Sequence, residues 1–533
     1  MNEPQPRPKE ETGAASSSRL ARYASSLLRL PLQNRHVALI LLISHTWCFF
    51  AFGATFWIDA ITFVNLGESM RSAESLKAFY DGYGSWFSGY QQPGLPVFWL
   101  MISALPLNMQ WPFMAVTQHG AAAVAAYICF TTMNNRWPGG AHLFFFLALC
   151  FFPFYQSLHN AYLSESLTST LLLLEFSFFM RAIWGAGRPN AELASMAACV
   201  ALITQLRAQC GLMGLAMIFL VLIKRKMIFS ISTVVIGIII AISGFAYPAY
   251  RNVAGGPFMP SQGMYALIYS LYSNPSPSPE LREEFSRLPY LPPGKKLNTM
   301  FNEGLSTFAA EELAQSWRNE GLSDAQIARR SGMLGAMIKN DGSSVILNRI
   351  FMGLTSTGLM APNCLRSPDT IVFPKTGSRE WCKLVYGHYR YLSWIDSGTH
   401  QAEFDQFFSH PFFKFPSLYD TYGKQEMARI KSGEMVKPYL SAVAPAWRNP
   451  IGMGYIPPDI WIIGAILGFY FLYIEERWIF MAVLAMMSIN FAVSFMFPVG
   501  NPRFSYPLYP IYFATASLAA SIYLSNRFFV NRK

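Results

Sequence analysis

Apolar residues in this chain fall in long blocks, without the extended alternation that a half-buried sheet would require. Blocks at 37–57, 112–132, 141–157, 166–182, 191–206, 209–223, 228–248, 458–474, 478–498 and 505–524 each predict a membrane-crossing helix. An eleventh stretch, GLPVFWLMISALPL at 94–107, is shorter, opens after Pro93 and contains Pro96 and Pro106. It is expected to lie at the interface or to re-enter. Glu175, inside LLLLEFSFF, sits in the middle of a block and must find an interior partner or carry a proton. A structural pair with another buried polar group is expected for it, with no catalytic role.

The segments between blocks differ in kind. Residues 1–36 are polar, basic and Ser- and Pro-bearing, as expected of a cytosolic tail, with room for an interfacial helix around Arg19 to Leu30. The long stretch 251–456 carries apolar residues at helical spacing in SQGMYALIYSLYS, SDAQIARRSGMLGAMIKN and SSVILNRIFMGLTSTGLM. It is broken by SNPSPSPE, YLPPGKK and MAPNCLRSPD. Helices and ordered loops on the membrane face are expected there, either as a lid over a site or as decoration. The expected architecture is an all-α polytopic membrane protein with about ten transmembrane helices. It divides into the tail at 1–36, a transmembrane module at 37–250, the external region at 251–456 and C-terminal helices at 457–533.

Composition fits this picture. Hydrophobic residues make up 52% of the 533 and charged residues only 13%, well below the charged share of an ordinary soluble chain. The net charge of +11 would suit a nucleic-acid partner, but the basic residues sit beside apolar blocks, as topology determinants do. No nucleic-acid partner is expected. With 94–107 not crossing, Arg7 to Arg35, Arg136, Arg181 with Arg188, Lys224 to Lys226, Arg477, and Arg527 to Lys533 all fall on the cytosolic side. Both termini are then cytosolic, and a bacterial inner membrane is the expected location. The segments 58–111, 158–165, 249–457 and 497–503 then lie outside. Five of seven cysteines lie in apolar blocks and read as packing residues; Cys364 and Cys382 share the external region and could pair there.

Chemistry gathers at the external end of the blocks. Asp59 and Glu68 follow the first block, and Tyr90, Gln91 and Gln92 precede Pro93. His159, Tyr162 and Glu165 lie in YQSLHNAYLSESL, Arg207 in ITQLRAQCG, and Arg503 with Tyr506 in VGNPRFSYPLYP. A channel would spread such groups through the membrane. Each also has a plain reading: Asp59 as a residue that ends a span, Glu165 as a carboxylate favoured at a helix start, and Arg207 as a snorkelling side chain.

The order of these features resembles the GT-C glycosyltransferases, which include protein O-mannosyltransferases and bacterial aminoarabinose transferases. The likeness covers residues 37 to about 250 and 455 to 525. It is carried by an acid after the first span, YQQPGLPVFW, the acid in HNAYLSESL, TQLR and PRFSYP. Two features depart from the family's pattern: Asp59 stands alone in IDAI, and Gln92-Pro93-Gly94 lacks the second of two paired prolines. The resemblance implies transfer of a sugar from a polyprenyl-phosphate carrier to a glycan, lipid or protein acceptor on the external face. It implies Asp59 as the base that takes the acceptor's proton, or alternatively as an acceptor-binding group. Glu165 would be a second carboxylate, orienting the acceptor or holding a divalent cation with His159. Arg207, Arg503 and Tyr506 would bind the donor phosphate, and Tyr90, Gln91, Gln92 and His159 the acceptor.

No dedicated metal site is expected; a divalent cation is left open as cofactor. No GxGxxG after a strand and no GxxxxGK[ST] loop occurs, in keeping with a lipid-linked donor. A flippase or transporter of lipid-linked sugars is the alternative, although no repeat between halves supports it. A scaffold of envelope assembly is a third.

Overall fold

The computed structural model describes residues 33–52, 92–139, 141–151, 155–156, 159–186, 188–228, 230–253, 468–496 and 507–529, with isolated positions elsewhere. Ten helices carry them: α1 (Asn34–Phe52), α2 (Gly94–Ile102), α3 (Leu107–Arg136), α4 (His142–Phe151), α5 (Ser164–Trp184), α6 (Pro189–Leu206), α7 (Ala208–Arg225), α8 (Ile231–Val253), α9 (Arg477–Met496) and α10 (Tyr509–Phe529). A further helical piece runs over 468–475. Among the described residues there is no strand. Four helices are long and apolar enough to cross a membrane: Pro112–Arg136, Ser164–Trp184, Ala208–Arg225 and Arg477–Phe495. The protein is all-helical and membrane-embedded over the part described. The apolar block at 94–107 becomes a nine-residue helix, α2; at about 1.5 Å per residue this rises roughly 14 Å, half a bilayer core.

Helix α5 is the centre, packed by α3, α6, α7 and α10. Its buried face is polar as well as apolar: Ser164, Glu165, Ser166, Thr168, Ser169, Thr170, Glu175 and Ser177 are all enclosed. Such a helix cannot face lipid, so the neighbours wrap it. The ends are set by local chemistry. The extended residue Leu163 leads into α5, and Gly185 closes it in the left-handed region at φ 75°, its amide bonding the Arg181 carbonyl at 3.0 Å. Pro189 starts α6 at the position where a missing N–H costs nothing. Arg181 then meets Glu192 at 2.8 Å, tying the α5–α6 turn.

Glycine sets the spacing between α5, α6 and α7. A Cβ at Gly214 would collide with the Glu175 carboxylate and would lie 2.6 Å from Val200 Cγ2. A Cβ at Gly211 would collide with the Thr204 side chain. Small residues on α7 therefore let the three helices approach closely, as in membrane helix packing generally. Helix α1 buries Val37, Leu41, Ser44, His45 and Cys48 at helical spacing while Leu39, Leu42, Ile43, Trp47 and Phe50 stay exposed. Ser44, His45 and Cys48 thus point into the protein together with Val37 and Leu41, while five large apolar side chains face outward.

The far ends of the chain close onto the same bundle. Helix α9 packs on α7, and α10 packs on α4 and α5. Glu476 accepts hydrogen bonds from the indoles of Trp137 and Trp184, both at 2.9 Å. Arg136 stands 3.8 Å from the same carboxylate. His142 Nδ1 lies 2.8 Å from Ser517 Oγ, joining α4 to α10.

Candidate functional site at the α5 start

Residues 159–165 form the turn that delivers Glu165 to the start of α5, and every neighbour grips it. Gln118 of α3 donates to the carbonyls of His159 (3.2 Å) and Ala161 (2.9 Å). Asn160 Nδ2 donates to the Cys48 carbonyl of α1 at 3.1 Å. The Tyr162 hydroxyl donates to the Leu95 carbonyl of α2, and its ring stacks against Phe98 and meets Trp99 edge-on. Tyr162 is fully buried, and that burial pushes its phenol well above the usual range. It is a structural donor, and its tie to Leu95 brings the start of α2 beside the 159–165 turn.

Glu165 and Arg207 meet in this place. Arg207 Nη2 lies 3.3 Å from Glu165 Oε1, with the carboxylate fully buried and the guanidinium side chain 12% exposed. Ser164 Oγ donates to the other carboxylate oxygen at 3.3 Å. Arg207 is extended between α6 and α7 and serves as the N-terminal boundary of α7. Gly94 abuts the same turn, since a Cβ there would stand 2.6 Å from the Gln205 carbonyl oxygen. The N-terminal ends of α5 and α7 therefore meet at one arginine–carboxylate pair, with the start of α2 against the neighbouring Gln205 carbonyl at the end of α6. Helix N-termini carry unsatisfied N–H groups and partial positive charge. Glu165 is the negative group already placed against them.

Beside the pair lies a group of imidazoles. His45 Nδ1 and His119 Nδ1 are 2.9 Å apart, and His119 Nε2 lies 2.7 Å from Asn160 Oδ1. Asn160 donates through Nδ2, so its Oδ1 is the acceptor and His119 carries its proton on Nε2. His119 Nδ1 is then a lone pair, and His45 donates to it from Nδ1. His159 packs against both rings, with centroids 5.7 Å from His45 and 5.2 Å from His119. Its Nδ1 is 2.8 Å from Ser166 Oγ, and its Nε2 is enclosed with no hydrogen-bond partner among the described residues. Burial first, and then the neighbouring His119 and His45, hold the His159 imidazole well below its ordinary range.

Of the expected site residues, Glu165 and Arg207 are brought together, with His159 on the same turn and Gln92 half-buried just before α2. Asp59, Tyr90, Gln91, Arg503 and Tyr506 lie outside the described residues, as do Glu68, Cys364, Cys382 and the helix expected around Arg19 to Leu30. Glu165 Oε1 meets Arg207 and its other oxygen meets Ser164, while His159 Nδ1 meets Ser166. Among the described residues, no three His, Cys, Asp or Glu side chains come together as a metal-ligand set.

Sequence reasoning missed His45 and His119. The signal that points to them is a lone imidazole in an otherwise apolar span, which needs a polar partner across helices. Glu175 lacks the partner expected for it: both its oxygens are enclosed without a hydrogen bond among the described residues. No known protein family, curated protein or solved structure matches the chain.

Proposed function

We propose that the protein is a membrane glycosyltransferase that moves a sugar from a polyprenyl-phosphate carrier to an acceptor at the end of the bundle where α5 begins. The observation that supports this reading is the joining of Glu165 and Arg207, from turns 42 residues apart (165 to 207), where the N-termini of α5 and α7 meet. In the reaction an acceptor hydroxyl attacks the anomeric carbon and the bond from that carbon to the phosphate oxygen breaks. The electron pair leaves with the polyprenyl phosphate, whose negative charge rises. An arginine and helix N-termini, fixed before the reaction starts, stabilise such charge without reorganising. Guanidinium pairs with phosphate through parallel N–H donors, so Arg207 can exchange its carboxylate partner for the phosphate. Glu165, released by that exchange, is then available to orient the acceptor. Asp59 is the proposed base, with Arg503 and Tyr506 as further phosphate contacts.

The test is mass spectrometry of envelope lipids and glycans from cells carrying the intact gene, the Asp59→Ala gene, or none. Loss of one defined sugar residue in the last two, restored only by the intact gene, is the expected result. Unchanged glycans in all three would sink the reading. With purified protein and a polyprenyl-phosphate sugar, Glu165→Gln should lower turnover by about 10²–10⁴ if the carboxylate acts in proton transfer, and less if it only orients the acceptor.

Transport of a lipid-linked sugar is the second reading, and Glu175 is what favours it. A carboxylate inside a span without a hydrogen-bonding partner is a feature of ion-coupled carriers. Substitution of Glu175 by Gln would abolish transport but leave glycosyl transfer near wild type, which separates the two.

A further inference from the structure

At the opposite end of the bundle, two cations from different helices share one aromatic ring. Lys224 Nζ, in the last turn of α7, lies 5.8 Å from the centroid of the Trp478 ring. Arg477 Cζ, at the start of α9, lies 5.8 Å from the same centroid. Both cations are exposed, whereas the indole is half-buried in the α7–α9 seam. The indole N–H is covered and has no acceptor among the described residues, so this ring presents its face and not its donor. Two like charges near one ring repel each other, and an anion held between them relieves that repulsion.

Among the described residues, no acid forms an ion pair with Lys224 or Arg477. Glu476 is turned inward onto Trp137 and Trp184. Glu475 is the one exposed acid on this stretch, against Lys224, Arg225, Lys226 and Arg477. Arg225 is drawn onto the Ala182 carbonyl at 2.8 Å. Phe219 and Ile223 on α7 and Met481 and Leu484 on α9, on the bundle side of the two cations along their helices, are exposed apolar side chains. The sequence of cations, aromatic ring and apolar surface is the profile of a phospholipid standing in its leaflet, with the phosphate at the rim and the chains below.

We infer that the α7–α9 seam binds an anionic phospholipid, its phosphate bridging Lys224 and Arg477 over Trp478 and its acyl chains lying along Phe219, Ile223, Met481 and Leu484. The site is independent of the sugar-transfer reading. Full-length protein in micelles would be titrated by native mass spectrometry with dioleoylphosphatidylglycerol, dioleoylphosphatidylcholine and sn-glycerol 3-phosphate. The expected result is preferential retention of phosphatidylglycerol, weakened about 20-fold in Lys224→Gln/Arg477→Gln and largely preserved in Lys224→Arg/Arg477→Lys. Trp478→Leu should weaken it as well. Equal retention of the two lipids, or full retention by the Gln pair, would overturn the inference. Equally tight binding of glycerol phosphate would also overturn it, since the apolar flank would then contribute nothing. A melting temperature within a few degrees of wild type shows that each variant is folded, because both cations are exposed.

Discussion

Arg207 and Glu165 share one enclosed contact, so changing either alters the surroundings of the other. Arg207→Met leaves a carboxylate without its counter-charge and should cost about 3–5 kcal/mol, read as a fall in melting temperature in detergent. Adding Glu165→Gln to that variant should restore much of the loss, which a simple loss of packing would not permit. His159 makes a prediction in pH. Its folded-state value lies below the ordinary 6.5, so as pH falls through 6.5 the unfolded chain binds the proton first. Its contribution is therefore present above about 6.5 and lost below, at up to about 1.4 kcal/mol per pH unit. A His159→Gln variant should show a shallower loss of melting temperature between pH 7 and pH 5; an identical slope would refute the assignment. Glu165 and Arg207 were legible in the sequence because each stands in a turn between apolar blocks, where a charge is noticed. His45 and His119 were not, because nothing local to either helix marks them as partners and they stand 74 positions apart.

Among the elements, α7 makes the sharpest claim, because two of its glycines face neighbours and not lipid. Gly214→Ala should destabilise by about 1–3 kcal/mol, since the added methyl meets Val200 at 2.6 Å and the Glu175 carboxylate. In α8, a Cβ at Gly237 would have nothing within 4 Å, so Gly237→Ala should be neutral or mildly stabilising. Comparable effects at the two positions, measured by thermal unfolding, would mean that close approach is not what Gly214 provides. Block boundaries in the sequence anticipated the helices well where turn chemistry was explicit, as at Gly185 and Pro189. The shortness of α2, nine residues between Pro93 and Ser103, agrees with the short, proline-bounded block in the sequence. Its partner was not legible there: what docks Gly94 on the Gln205 carbonyl is the shape of a turn more than a hundred residues later, which no local pattern encodes.

For the whole molecule, the decisive contacts join distant parts of the chain. Glu476 takes two indole donors, from positions 339 and 292 residues earlier. Glu476→Leu would strand both N–H groups and should cost about 1–3 kcal/mol for each, whereas Glu476→Gln keeps an acceptor and should cost less. His142 with Ser517 makes a second junction, so the two regions meet along more than one line. Both junctions are made by the meeting faces of helices far apart in the chain. Two polypeptides, one ending after Val253 and one beginning at Pro457, ahead of the apolar block 458–474, should find each other when co-expressed and co-purify as a complementing pair, and Glu476→Leu should weaken that partnership.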